Sequence, residues 1–155
     1  MNSQTLILDV MRQQGQADAM DLRGRANGMD GTAIIAEESK VPAFDGAKDY
    51  SAWPVGAPVS YDNQVYKLIT PYNAAGYPDT NPAVLPALWS ITHTKDPAKA
   101  KAWAAPNGTS GLYTVDECCT ESGHVWRNTY EGNEFAPSAM PERWTDLGTA
   151  QQVQA

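Results

Sequence analysis

Two stretches of the 155-residue chain repeat one order of parts, and the repeat limits the fold more than any other feature. One runs from Trp53 to Ile91 and the other from Trp103 to Leu147. Each opens on tryptophan, continues as a strand, turns tightly at Asp62-Asn63 or Ser122-Gly123, and returns through Val65-Tyr66 or Val125-Trp126. Each then passes a proline-containing loop and closes on Trp89 or Trp144. Val59 to Tyr66 and Cys119 to Trp126 are the same seven steps, as duplication of a hairpin requires. A unit of about 45 residues cannot gather a large aliphatic core. A few rings must supply most of the buried area, roughly 150–250 Å² each. Trp53, Tyr66 and Trp89 in the first copy, and Trp103, Trp126 and Trp144 in the second, are the expected core.

The remaining chain flanks and joins these copies. Leu6, Ile7, Val10 and Met11 fall at helical spacing, predicting a short amphipathic helix over Ser3 to Gln16 with Ser3 as N-cap. From Ala17 to Ser51, Gly24, Gly28, Gly31 and Gly46 interrupt the pattern, and only Thr32 to Glu38 reads as a further helical turn or two. Such a segment is either an ordered arm lying on something else or an arm that orders on a partner. "RGRANGMDG" lacks the strand, GxGxxG and helix order of a phosphate cradle. Between the copies, "THTKDPAKAKAWAAP" reads as a polar linker with a helical turn. The expected division is arm 1–48, first unit 49–91, linker 92–102, second unit 103–148 and tail 149–155.

The formal net charge of −7 and the pI near 4.6 supply no basic surface for nucleic acid or an anionic membrane. No apolar run approaches the roughly 20 residues that span a bilayer, and "MNSQTLILDV" has neither the basic region nor the cleavage site of a signal peptide. The expectation is therefore synthesis in a cytoplasm, with no nucleic-acid or membrane partner. Cys118 and Cys119 stand side by side, so on a strand one thiol is expected buried and the other exposed. Catalysis needs a constellation that the residues do not suggest. Glu37 with Glu38, and Asp116 with Glu117, read as solvated faces, and a glycosidase barrel needs a longer chain. His93 and His124 lie apart, outside any CxxC or HExxH pattern, with His124 expected exposed at a turn. The chain is expected to be no enzyme and to hold no metal or cofactor.

"VSYDNQVY" from Val59 and "CTESGHVW" from Cys119, each set between an opening and a closing tryptophan, carry a resemblance. They resemble the "V-x-Y-x-G-x-x-Y" hairpin of the small carbohydrate-binding modules of families 5 and 12, found beside bacterial chitinases and cellulases. The first copy keeps Val59, Tyr61 and Tyr66 in family positions, with Asn63 where glycine is usual. The second has Glu121 in place of the hairpin tyrosine and Cys119 in place of the valine. The resemblance implies a mainly β fold, with two small three-stranded antiparallel modules in tandem after the N-terminal helix and extended arm. It also implies sugar binding on exposed aromatics after the second hairpin strand, where apolar pyranose faces stack and polar side chains meet the hydroxyls. At those positions the first copy offers Tyr72 and Tyr77 and the second offers Tyr130 and Phe135, without the family's adjacent pair.

The whole chain, an arm followed by a duplicated sugar-module-like unit with no enzyme, resembles small proteins encoded among the tail and fibre genes of bacteriophages. This implies a virion protein of a tail, baseplate or fibre, with the arm docked on other virion proteins in a symmetric oligomer and the modules facing a host-surface polysaccharide. A structural adaptor built from the same modules is the alternative, and a secreted chitin-targeting protein a third that the missing signal peptide disfavours.

Overall fold

The computed structural model describes residues Ser3 to Ala155. Helix α1, Ser3–Arg25, is 23 residues long, well beyond the expected end at Gln16. Tertiary contacts at its far end explain the extension. Leu22 is fully buried, the Arg23 guanidinium lies 3.9 Å from the Trp53 ring centroid, and Arg25 pairs with Asp21 at 2.9 Å and Glu37 at 3.1 Å. These contacts carry the helix through Gly24, which costs about 1 kcal/mol relative to alanine. Ser3 is itself helical, so the capping position lies outside the described residues. The outer part of α1 leaves Leu6, Ile7, Leu8, Val10 and Met11 more than half exposed.

Two meanders follow. β1 (Pro58–Tyr61), β2 (Gln64–Leu68) and β3 (Trp89–Ile91) form an antiparallel sheet in that order. β4 (Lys101–Ala102), β5 (Cys118–Glu121), β6 (His124–Asn128) and β7 (Trp144–Thr149) form a four-stranded mixed sheet, and α3 (Ala150–Gln154) closes the chain. Val59 stands opposite Tyr66 and Cys119 opposite Trp126, so the hairpin register repeats sixty residues on. Asp62 and Asn63, like Ser122 and Gly123, all have positive φ, the two-residue turn whose twist suits a hairpin. The expected mainly β fold holds only in part, because 34% of the chain is helical against 24% in strand, and the second sheet is four-stranded and mixed rather than three-stranded and antiparallel. Sheet dominates only the body after α1, α2 (Gly31–Ala36) and the short turn that follows it.

An edge segment precedes each hairpin and runs parallel to its first strand. In the second module this is β4, with Lys101 opposite Cys119; in the first it is a single bridge between Ala43 and Ser60. The Phe44 N–H donates to Ser60 O at 2.8 Å, and the Trp103 N–H donates to Thr120 O at 2.9 Å. Phe44, rather than Trp53, is therefore the counterpart of Trp103, and the first sheet recruits chain from within the expected arm. A buried tyrosine fastens each edge. The Tyr50 hydroxyl accepts from the Asp45 N–H at 2.9 Å, and the Tyr113 hydroxyl accepts from the Ala104 N–H at 3.2 Å, one residue past each edge aromatic.

Rings fill both interiors. Tyr50, Tyr66, Tyr72 and Trp89 are buried in the first, with Phe44 and Trp53 packed against them. Tyr113, Cys119 and Trp144 are buried in the second, with Trp103 and Trp126 alongside. Cys118 and Cys119 do point to opposite faces, but both are buried and free, because Ala100, Val125, Leu147 and the α3 residue Val153 cover the Cys118 side. The arm packs on the first sheet, where Ile34 and Ile35 of α2 bury Val65. A Cβ at Gly31 would stand 2.1 Å from His93 O, so only glycine lets α2 approach the inter-module segment this closely. That segment is no loose tether: Thr92, His93 and Thr94 are buried and Thr94 bridges to Cys118.

The modules differ at one core position. Leu68 is buried among rings, whereas its counterpart Asn128, also buried, donates Nδ2–H to the carbonyls of Tyr113 (3.0 Å), Thr114 (2.8 Å) and Tyr130 (2.7 Å). Its Oδ1 accepts from Tyr130 N at 3.1 Å and Asn133 Nδ2 at 2.8 Å. Asn128→Leu, which copies the first module, strands these groups and is expected to lower stability by about 3 kcal/mol. Urea unfolding checks it, and an unchanged midpoint would contradict the assigned role.

Candidate binding surfaces

The four expected sugar-facing rings sit in different surroundings. Tyr72 is only 7% exposed, and its hydroxyl accepts from Trp89 Nε1–H at 2.8 Å. Its ring stacks 6.2 Å from Tyr50 at 24°, and burial pushes its phenol pKa up. The expectation of a free ring at Tyr72 is corrected: the Asp49–Asn73 bridge and the Tyr50 N–H to Tyr72 O bond turn this loop inward. Tyr77, 46% exposed, meets Tyr72 edge-on at 5.4 Å and carries the exposed aromatic surface of that loop.

In the second module Tyr130 is 45% exposed, and Asn128 clamps its backbone through both N–H and carbonyl. The Arg143 guanidinium lies 3.5 Å from the Tyr130 ring centroid and 5.3 Å from that of Phe135. Phe135 is partly buried and its carbonyl accepts from Trp144 Nε1–H at 2.9 Å. The structure thus gathers Tyr130 and Phe135 around one cation, with the guanidinium lying over the Tyr130 ring. Arg143 escaped the sequence reading. Its counterpart is Leu88, since the Ile69 and Thr129 amides donate to Leu88 O and Arg143 O respectively, so the repeat pattern itself gave no sign of a cation there.

A separate cleft of about 460 Å³ opens between the modules. Tyr66 and Trp89 of the first module and Trp103 of the second line it, with Gln64, Asn107 and Ser110 among the polar groups. Gln64 Nε2 donates to Ala102 O at 2.8 Å, which ties the first hairpin to β4. Among the described residues, neither Trp103 Nε1 nor Gln64 Oε1, both buried, has a hydrogen-bond partner.

Of the carboxylates flagged in the sequence, Glu37, Glu38 and Glu117 have structural partners and Asp116 is exposed. Arg25 and Lys40 hold the Glu37 carboxyl down to about 2, and Glu38 pairs with Lys101. Glu117 accepts from the Thr114 N–H at 2.7 Å. His124 is less free than expected, with Nδ1 2.9 Å from Asp146 Oδ1. Burial pushes both thiols up, Cys119 most strongly, which keeps them protonated and poorly nucleophilic. Among the described residues no three His, Cys, Asp or Glu side chains cluster as metal ligands, and no helix is long and apolar enough to cross a membrane.

His93 ties this region together. Its ring stacks on Tyr113 at 3.7 Å and 12°, and Nε2 lies 2.9 Å from Gly111 O. Burial pushes its pKa below the usual value near 6.5, with the Gly111 carbonyl and Glu117 opposing. The unfolded chain takes up the proton first, so the stability this site contributes is present above about pH 6.5 and is lost as pH falls toward the depressed folded value. Melting temperature is expected to drop between pH 7 and 5.5, and His93→Gln to flatten that slope; equal slopes would contradict the assignment.

Compared with known proteins, the chain matches no family model and no curated protein sequence.

Proposed function

We propose that the chain is a non-catalytic attachment protein of a bacteriophage virion, carried on a tail, baseplate or fibre. The N-terminal helix docks it in a symmetric assembly, and its two carbohydrate-binding-module-like units face a host-surface polysaccharide. The observation that carries the reading is the placement of exposed aromatics beside the repeated hairpins, with Tyr77 on one module and Tyr130 beside Arg143 on the other. A flat ring carrying a guanidinium on one face suits a pyranose, whose C–H face stacks on an exposed ring while its hydroxyls accept from the guanidinium N–H groups. The exposed apolar residues Leu6, Ile7, Leu8, Val10 and Met11 on α1 suit burial in an assembly, at about 0.8 kcal/mol per CH₂ covered. Single-ring sites bind weakly, yet two per chain repeated over an assembly raise avidity about 100-fold or more.

A structural adaptor is the second reading, favoured by the burial of Tyr72, which leaves the first module one exposed ring in that loop. Co-sedimentation with insoluble chitin, cellulose and bacterial peptidoglycan separates the two. The attachment reading expects retention on at least one polymer, with Tyr77→Ala and Tyr130→Ala together weakening it at least about tenfold while the melting temperature is unchanged. Equal retention by the double variant, or no retention of the wild type, moves the assignment to the adaptor.

A further inference from the structure

The inter-module cleft joins features that the packing of either module does not explain. Trp103 and Gln64 line it; Trp103 Nε1 can only donate and Gln64 Oε1 can only accept, and both are buried without a partner among the described residues. Exchanging the Gln64 amide atoms would not relieve this, because Ala102 O at 2.8 Å requires a donor and fixes Nε2 where it is. An unpaired buried polar group ordinarily costs about 1–3 kcal/mol, so a buried donor and a buried acceptor without partners, on two residues that line one cleft, point to an occupant that supplies both. The walls add the faces of Tyr66, Trp89 and Trp103. Among the lining residues the only charged one is Asp62, which is exposed, so nothing there would attract an anion. The volume of about 460 Å³ falls within the ordinary range for small-molecule sites.

We infer that this cleft is a binding subsite for a neutral oligosaccharide chain, with Trp103 Nε1 donating to it and Gln64 Oε1 accepting from it. The inference rests on the glycan-binding reading above but concerns a different surface from Tyr77 and Tyr130. A sugar hydroxyl or N-acetyl amide is donor and acceptor at once, and a pyranose face suits an aromatic wall. Both atoms are buried, so the half-buried Trp103 ring must shift for a ligand to reach them. Because Gln64 and Tyr66 come from the first hairpin and Trp103 follows β4, the site exists only while the modules are docked.

Titration of the whole chain with chitotetraose and with cellotetraose, followed by NMR of the indole N–H signals, tests it. One sugar is expected to move the Trp103 indole signal. Trp103→Phe, which keeps an aromatic face and removes the donor, is expected to weaken that sugar about three- to tenfold, with a lower melting temperature from the smaller ring in the core. Gln64→Leu serves as the second variant and is expected to weaken the same sugar. Unchanged affinity in either Trp103→Phe or Gln64→Leu overturns the subsite. No movement of the Trp103 signal with either sugar also overturns it, while retention on insoluble polymer that depends on Tyr77 and Tyr130 would leave the attachment reading standing.

Discussion

In each module a buried phenol hydroxyl holds the segment that closes the ring cluster. Tyr50 receives the Asp45 amide and Tyr113 receives the Ala104 amide. Both phenols lie in low dielectric, which pushes their pKa values up and keeps them neutral acceptors. The fastened segment brings Phe44 or Trp103 against the interior, so a unit too small for an aliphatic core completes a shell of rings. Aromatic contacts then set the geometry: Tyr50 stacks on Phe44 at 5.9 Å and meets Trp89 edge-on at 5.3 Å, and Tyr113 meets Trp144 at 5.3 Å. Tyr72 sits within the same network, which is why a ring that the sequence placed outside is found inside.

The edge segments also couple the modules. β4 is the end of the inter-module segment and the edge of the second sheet, so the connection is itself part of a module. Its other end is held by the arm, where Thr32 Oγ1 accepts from Lys95 N at 2.8 Å and Gly31 closes on His93. The arm in turn grips the first hairpin, with Lys67 Nζ donating to Met29 O at 2.8 Å and Val65 under Ile34 and Ile35. Arm, linker and both sheets share one packed region. The outer turns of α1 remain outside it, so the sequence's single arm divides into a docked part and an exposed part.

Much of the scaffold was legible. The seven-step spacing located both hairpins to the residue, because a two-residue turn leaves the register no freedom. Trp89 and Trp144 lie in their interiors as read. The opening of the first module differs from the reading because tryptophan is conspicuous: Trp103 does stand at the second module's edge, but its counterpart is Phe44 rather than Trp53, and bridge partners of high sequence separation leave no local pattern. Tyr50 and Tyr113 were missed for the same reason, although a tyrosine stands a few residues ahead of each hairpin. The stops placed in α1 and the freedom given to the linker came from local propensity, which Leu22, Arg23 and the buried Thr92–Thr94 override through tertiary contacts. Arg143 and the unpaired Gln64 and Trp103 atoms depend on which loops meet, and no spacing rule encodes that.

Native-state hydrogen exchange tests most directly the claim that the two modules and the docked arm form one cooperative unit. The amides of Tyr66 and Leu68 in the first sheet and of Val125 and Asn128 in the second are predicted to open with one common free energy, falling together as urea is added. Two separate opening energies, with one sheet exchanging while the other stays protected, would contradict it and return the molecule to two independent modules on a tether.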